Sequence, residues 1–233
     1  MNKKNYAIIL ASGTGERAGL NIPKQFALVN GKTILEYSIE AFENHEMIDA
    51  IILISNPLFL DMTNEIISKN NYKKIIKVMP GGKTRQESSY IGISQVTDSN
   101  ANVLIHDAVR PFIDSKTITE CIDALKKYNA VNVAIESSDT IVEIDENNII
   151  RNIPKRKFLR RCQTPQCFDI QLIKKAHKLA MQNNAEDITD DCGLVVRYNL
   201  ADIYIVNGSN ENIKITYPID LKIAELIQKK ESR

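Results

Sequence analysis

Short runs of β-branched and other apolar residues alternate along this chain with amphipathic stretches, and this alternation constrains the fold more than any other feature. Such runs are typical of buried strands, and apolar residues at helical spacing are typical of helices that pack on a sheet. Strands that alternate with helices form a mostly parallel, doubly wound sheet. We therefore predict an α/β fold, with strands at 7–10, 50–54, 75–78, 102–105, 131–135 and 203–206 and helices at 34–43, 58–69 and 115–128, the last capped by Ser115.

One segment departs from this alternation. At 140–153 apolar and polar residues alternate, the pattern breaks at the turn sequence DENN (145–148), and it resumes with Ile149 and Ile150. No helical pattern follows to cover this β-hairpin. We predict an arm at about 138–162 that packs on a second subunit, giving a homodimer; a hairpin that lies on its own sheet is the alternative.

The length of 233 residues and 43% hydrophobic content suit one domain spanning 1–233. The 30 basic and 29 acidic residues leave a formal charge of +1, so we expect neither nucleic acid nor a membrane as partner. The four cysteines show no C-x-x-C spacing and are expected to be free thiols. A polar, glycine-rich segment interrupts the apolar run at 6–11, so we expect no signal peptide and a cytoplasmic location.

A glycine-rich loop, ASGTGER at 11–17, directly follows the first strand. Glycines let backbone N–H groups approach a phosphate closely, which is typical of nucleotide-binding turns. The loop is neither G-x-x-x-x-G-K-[ST] nor a complete dinucleotide fingerprint, and a simple tight turn remains an alternative. Lys24 follows Arg17 after a short interval, so two cations can converge on one anion.

Several short blocks follow one another along the chain: ASGTGER (11–17), PKQ (23–25), GGKTRQES (81–88), HDAVRP (106–111), TPQ (164–166), TD (189–190) and NIK (212–214). In this order they resemble the cytidylyltransferase family that includes the methylerythritol-phosphate, ribitol-phosphate and related polyol-phosphate enzymes. The resemblance runs nearly end to end. It implies a Rossmann-like nucleotidyltransferase fold and transfer of CMP from CTP to a small polyol phosphate, with Mg²⁺ as cofactor.

The resemblance also implies a role for each matching residue. Arg17 and Lys24 are expected to bind the triphosphate and to stabilise charge during attack on the α-phosphorus. Asp107 is expected to face the magnesium and triphosphate, with a salt bridge to Arg110 as the alternative. The nucleotide-binding set comprises Leu10, Ala11, Ser12, Gly13, Thr14, Gly15, Gly82, Arg85, Ser88 and Asp107; for Arg85, a role in shaping the loop is the alternative.

The acceptor-binding residues implied by the resemblance are Arg110, Thr140, Arg156, Thr189 and Lys214. If the arm crosses a dimer interface as in relatives, Arg156 and Thr140 serve the neighbouring active site. Since the acceptor phosphate is already ionised near neutral pH, no general base is needed. His106 is accordingly expected to hold its loop, and His45 and His177 are interpreted as surface residues on helices.

The sequence features that bear on the acceptor are mixed. Val109 and Phe112, with IPKR at 153–156, resemble ribitol-phosphate enzymes. Leu159 and Arg161, with TDD at 189–191, resemble the methylerythritol-phosphate group. We favour ribitol 5-phosphate on this resemblance. A nucleotide-binding protein without turnover and a nicotinamide dehydrogenase are the alternatives of another class; the second lacks an acid suitably placed to hold a ribose.

Overall fold

The computed structural model describes residues 3–14, 22–183 and 188–231. A seven-stranded sheet forms its centre, and the six predicted strands all lie in it. The strands, in chain order, are β1 (Lys4–Ala11), β2 (Leu28–Val29), β3 (Lys32–Thr33), β4 (Ala50–Ser55), β5 (Ile75–Pro80), β6 (Ala101–Asp107), β7 (Ala130–Glu136), β8 (Glu143–Ile144), β9 (Ile150–Asn152), β10 (Arg160–Asp169) and β11 (Ile203–Asn207).

The strand order in the large sheet is β11-β7-β10-β6-β1-β4-β5. All neighbours pair in parallel except β10, which is antiparallel to both β6 and β7. The sheet is thus mostly parallel, as predicted. Parallel strands are buried on both faces, which explains why β4 is a continuous apolar run.

The strand β10 was not among the predicted strands. The strand has no apolar alternation in its centre, where the buried side chains are the polar Gln163, Thr164 and Gln166. Pro165 cannot donate to a ladder, and the register of β10 against β7 shifts between Cys162 and Gln166. Strand signals based on apolar periodicity do not detect such a segment.

The described parts of the chain contain seven α-helices. They are α1 (Ile34–Glu43), α2 (Leu60–Asn70), α3 (Arg85–Ser94), α4 (Ser115–Ala124), α5 (Ile170–Gln182), α6 (Asp191–Arg197) and α7 (Pro218–Glu231). Within the described ranges no helix is both long and apolar enough to cross a bilayer.

The predicted helix at 34–43 is confirmed, whereas the other two differ at their ends. The segment 57–59 is a 3₁₀ turn before α2, and α4 ends at Ala124. The predicted cap was wrong by one residue: Asp114 caps α4, because its carboxylate accepts a hydrogen bond from Thr117 N at 2.7 Å.

The helices form layers on both faces of the sheet. Alternate residues of β1 face opposite ways: Ile9 packs with Leu35 and Phe42 of α1, whereas Ile8 packs with Ile93 of α3 and Ile173 of α5. The doubly wound architecture therefore follows from a central strand that is apolar on both faces.

The predicted hairpin is present as β8 and β9, an antiparallel pair separate from the large sheet. Across 138–162 no side chain is buried in this chain, and Ile144, Ile150 and Ile153 are each more than half exposed. The hairpin therefore protrudes and does not lie on its own sheet.

Candidate active site

A pocket of about 700 Å³ opens where the carboxyl ends of β1 and β6 meet, the edge at which doubly wound sheets bind ligands. Ten sequence-predicted residues line it: Leu10, Ala11, Ser12, Gly13, Thr14, Lys24, Gly82, Arg85, Asp107 and Lys214. Gly15 and Arg17 lie outside the described residues. The pocket is also lined by Gln25, Asn56, Pro57, Lys83, Thr84 and Val109.

The loop that follows β1 is held by buried amides. Gln25, only 1% exposed, donates through Nε2 to Ala11 O at 2.7 Å and to Gly13 O at 2.9 Å. Asn56 donates through Nδ2 to Ser12 O at 3.2 Å. Neither Gln25 nor Asn56 was predicted from the sequence to have a role. Gln25 falls in the PKQ block beside Lys24, and that proximity was the available signal.

Two glycines permit close packing of the β5–α3 connection, Gly81 against this loop and Gly82 against α3. A Cβ on Gly81 would lie 2.3 Å from Ser12 Cβ, and one on Gly82 would lie 2.4 Å from Glu87 Cβ. Only glycine permits this close approach. Thr84 then caps α3 by accepting from Glu87 N, so the positive end of that helix begins at the pocket wall.

Ser88, expected to read the nucleotide directly, is fully buried behind the wall. Its hydroxyl lies 2.8 Å from Ser12 Oγ, donates to Thr84 O at 2.9 Å and accepts from Gly82 N at 3.1 Å. These contacts join the two loops, so Ser88 shapes the pocket from behind.

Asp107 is the only carboxylate that lines the pocket among the described residues, and both its oxygens are engaged. Oδ1 accepts from Arg85 Nε at 3.1 Å, and Oδ2 accepts from Lys214 Nζ at 2.8 Å. Burial opposes ionisation, but the charges of Arg85 and Lys214 outweigh it and hold the pKa of Asp107 well below its usual range. The carboxylate is ionised, and the alternative of a salt bridge with Arg110 was wrong.

Arg110 does not line the pocket and is 9% exposed. Its guanidinium donates to Asn212 O at 2.9 Å and to Cys162 O at 3.3 Å, so its contacts are structural. His106 holds the same loop, as expected: Nε2 donates to Arg110 O at 3.0 Å, and Nδ1 lies 3.0 Å from Thr164 Oγ1. Complete burial lowers the pKa of His106 to about 4, so it is neutral near pH 7.

The other expected acceptor residues occupy two different places. Thr189 lies beside Arg85 and Asp191 at a narrow cleft next to the pocket. Thr140 and Arg156 lie on the arm, where Arg156 Nη2 donates to Thr140 Oγ1 at 3.3 Å. Both are exposed, and neither lines the pocket of its own chain.

The interpretation of two histidines as surface residues was wrong. His45 follows α1, is 4% exposed and lies 3.0 Å from Thr119 Oγ1. His177 on α5 is 1% exposed and lies 3.0 Å from Asp191 Oδ1. Their partners are distant in sequence, which is why local pattern did not reveal them. The four cysteines are free, as expected.

The donors at the pocket suit one kind of metal. Within the described ranges no three His, Cys, Asp or Glu side chains cluster as a metal-binding group. Mg²⁺ is commonly held by one or two carboxylates together with substrate phosphates and water. Asp107 alone therefore fits a magnesium ion that arrives with a triphosphate.

The glycine-lined loop, the start of α3 and the cations at this edge of the sheet define a nucleotidyltransferase-like α/β protein. Residues 6–230 match the family described as IspD: 2-C-methyl-D-erythritol 4-phosphate cytidylyltransferase. The chain belongs to this family, whose members are CTP-dependent cytidylyltransferases, and it is therefore a cytidylyltransferase.

The relatives of this chain are named for two different activities, one concerning CDP-ribitol and one concerning 2-C-methyl-D-erythritol 4-phosphate. The chain is 43% identical over 231 residues to the bifunctional ribulose 5-phosphate reductase/CDP-ribitol pyrophosphorylase Bcs1 of Haemophilus influenzae, covering 97% of this chain and 48% of that protein. It therefore spans about half the length of that relative. It is 38% identical over 228 residues to 2-C-methyl-D-erythritol 4-phosphate cytidylyltransferase of Thermobifida fusca, covering 95% and 92%.

A solved structure confirms the fold. The 4-diphosphocytidyl-2C-methyl-D-erythritol synthase of Anaerococcus prevotii superposes with a TM-score of 0.85 at 31% identity, covering 97% of this chain and 99% of that one.

Proposed function

We propose that this cytidylyltransferase transfers CMP from CTP to ribitol 5-phosphate, giving CDP-ribitol and pyrophosphate. The observation that carries the reaction is the pocket in which Lys24 and Lys214 flank a glycine-lined loop beside the ionised Asp107. The choice of acceptor is supported by the higher identity to the relative named for CDP-ribitol, 43% against 38%. Val109, one of the ribitol-type residues, lines the pocket, whereas Phe112 belongs to a buried cluster.

The chemistry requires positioning and charge neutralisation. An oxygen of the acceptor phosphate attacks the α-phosphorus of CTP and forms the new P–O bond, while the bond from the α-phosphorus to the oxygen that bridges to the β-phosphorus breaks. Pyrophosphate leaves with that electron pair, and no proton must be removed from the nucleophile. When bound, Mg²⁺ neutralises triphosphate charge.

The chain's own residues supply the rest of the stabilisation. Lys24 is 8% exposed on the pocket wall, so its side chain is largely shielded from solvent, where a fixed cation acts more strongly than in bulk water. Arg17 is proposed to share this role. The backbone of the loop after β1 and of Gly82 is proposed to contact the nucleoside.

The acceptor phosphate is proposed to bind between Thr189 and Lys214 of one chain and Thr140 and Arg156 of a second chain. Support comes from the protruding arm, whose apolar residues are exposed and whose Arg156 lies outside the pocket of its own chain. A homodimer in which the arms exchange would cover those residues and complete both sites. A cytoplasmic location remains a prediction.

The acceptor is tested by measuring pyrophosphate release from CTP with ribitol 5-phosphate and 2-C-methyl-D-erythritol 4-phosphate in parallel. We expect the higher kcat/KM with ribitol 5-phosphate. A higher value with the methylerythritol substrate would assign the chain to the activity after which its family is named. CTP binding without release from either acceptor would refute both.

The role of Lys24 is tested by Lys24→Ala. Loss of one fixed cation at the reacting phosphates is expected to lower kcat by about 100-fold or more, as for other preorganised donors. Lys116→Ala, which removes a lysine whose side chain is 83% exposed on α4, is the matched control and is expected to retain wild-type turnover. Full turnover by Lys24→Ala would refute the assigned role.

A further inference from the structure

Arg85 spans two acidic side chains, only one of which lines the active-site pocket. Its Nε donates to Asp107 Oδ1 at 3.1 Å, and its Nη1 donates to Asp191 Oδ2 at 2.8 Å. A guanidinium presents its donors in a rigid planar fork, so two fixed acceptors determine its orientation. Asp191 lies behind the pocket wall and is not among the residues that line the pocket.

Asp191 is itself held from three sides. It is 1% exposed, and besides Arg85 it accepts from Ser89 Oγ at 2.5 Å and from His177 Nε2 at 3.0 Å. Its backbone N–H donates to Gln166 Oε1 at 3.0 Å. Contacts from α3, α5 and β10 thus fix the carboxylate in one place.

A buried carboxylate contributes little net stability to a fold, because removing its charge from water costs free energy. Ion pairs in protein interiors often contribute no more than apolar side chains of similar volume. Burial opposes ionisation, but the charge of Arg85 and the hydrogen bond from His177 lower the pKa of Asp191 to about 2, so it is charged at neutral pH. The proposed chemistry uses Asp107 and leaves this second acid without a role.

The pair also joins the two substrate regions. Arg85 is the first residue of α3, next to Thr84 on the pocket wall. Asp191 is the first residue of α6, two positions after Thr189. Because Asp191 engages Nη1, Arg85 reaches Asp107 through Nε alone, and Asp107 Oδ2 is left for Lys214.

We propose that Asp191 is a positioning residue that holds Arg85 at the nucleotide pocket, with Ser89 and His177 orienting the carboxylate. Without the charge of Asp191, Arg85 turns its planar fork onto Asp107 and displaces Lys214 from it. The triphosphate site then loses the correct placement of both cations. This inference rests on the proposed function and adds to it a residue that touches neither substrate.

The test is Asp191→Asn, with CTP affinity measured by calorimetry and kcat/KM measured by pyrophosphate release. We expect the dissociation constant for CTP to rise about tenfold or more, in line with the strength of charged hydrogen bonds. Asp114→Asn is the matched control: the same change at a carboxylate that caps another helix, α4, and whose described partner is Thr117 N. It is expected to bind CTP within about twofold of wild type.

A double-mutant cycle separates positioning from a general structural role. In an Arg85→Gln background, Asp191→Asn is expected to have little further effect on CTP affinity. The same fold loss in both backgrounds, or unchanged affinity in the single variant, overturns the inference. If Asp191→Asn does not fold, Ser89→Ala replaces it in the cycle, with a smaller loss expected only when Arg85 is present. Failure of the wild-type chain to bind CTP would instead overturn the proposed function.

Discussion

At the scale of single residues, buried polar side chains determine the shape of the candidate active-site pocket. Gln25, Asn56 and Ser88 are each at most 5% exposed, and all three bond to the loop after β1 or to its neighbours. A buried carbonyl that loses its donor costs more free energy than the bond itself contributed. We therefore expect these positions to tolerate substitution poorly although they are not reactive.

Gln25→Leu tests this expectation. The change removes the donor to Ala11 O and Gly13 O, so we expect the free energy of unfolding to fall by about 1–3 kcal/mol and CTP to bind more weakly. Denaturant unfolding and calorimetry measure the two effects. Gln171→Leu is the control, since its amide bonds to a carbonyl at an exposed site. Equal stability of the two variants would contradict the role given to Gln25.

Gly13, which lines the pocket, and Gly81, which does not, are expected to respond differently to alanine. A Cβ at Gly81 meets Ser12 Cβ at 2.3 Å, whereas a Cβ at Gly13 meets nothing within 4 Å. Gly81→Ala should destabilise the fold by about 1–3 kcal/mol. Gly13→Ala should unfold like wild type yet bind CTP more weakly, because its methyl group enters the pocket. Thermal unfolding and CTP titration distinguish the two; unaltered CTP binding by Gly13→Ala would remove Gly13 from the nucleotide site.

At the scale of elements, the arm exposes apolar side chains that a second chain is proposed to cover. A two-stranded hairpin is marginally stable by itself. The strands β8 and β9 also expose isoleucine side chains to water, and exposed apolar surface of this kind is typical of an interaction site. Exchange of arms between two chains would bury this surface and bring Arg156 to the partner's pocket.

Mixing two inactive variants tests whether the site is shared. Lys24→Ala and Arg156→Ala are expected to be inactive separately. After random reassortment of subunits, half of the dimers are mixed and each mixed dimer has one intact site, so about a quarter of wild-type turnover should return. Wild-type subunits mixed with either variant provide the reference. No recovery, with subunit exchange verified by sedimentation or mass spectrometry, would place Arg156 and Lys24 in the same chain's site.

At the scale of the whole molecule, buried titratable groups link stability to pH. His106 has a folded pKa of about 4, below its ordinary 6.5, so the unfolded chain binds the proton more readily. Stability should therefore fall as the pH drops from 6.5 towards 4, by roughly 3 kcal/mol from this group. Asp191, with a folded pKa of about 2 against 3.8, contributes stability above pH 4 that is lost towards pH 2.

The free energy of unfolding of wild type and His106→Gln, measured from pH 7 to pH 4, checks this linkage. We expect the variant to be less stable at pH 7 and to show a flatter profile, because glutamine does not titrate. Parallel profiles for the two proteins would show that His106 does not carry the pH dependence.

Much of the architecture was predictable from periodicity. The six predicted strands and the hairpin follow from apolar runs and a turn signal, which are local properties. The pocket position followed from the glycine loop after β1, since ligands bind where parallel strands end. The missed strand, β10, buries Gln163, Thr164 and Gln166, whose value lies in hydrogen bonds to distant partners and not in apolar area.

The sequence by itself determined a doubly wound sheet, a glycine-rich loop after β1 and a protruding arm, because burial of apolar faces imposes a local repeat and glycine and turn residues mark where that repeat stops. Only the tertiary structure decided which charges meet. Arg85 joins Asp191 across 106 positions and Asp107 across 22, and His177 reaches Asp191 from another helix. Such pairs depend on packing between elements that are distant in the chain, so no local pattern in the sequence predicts them.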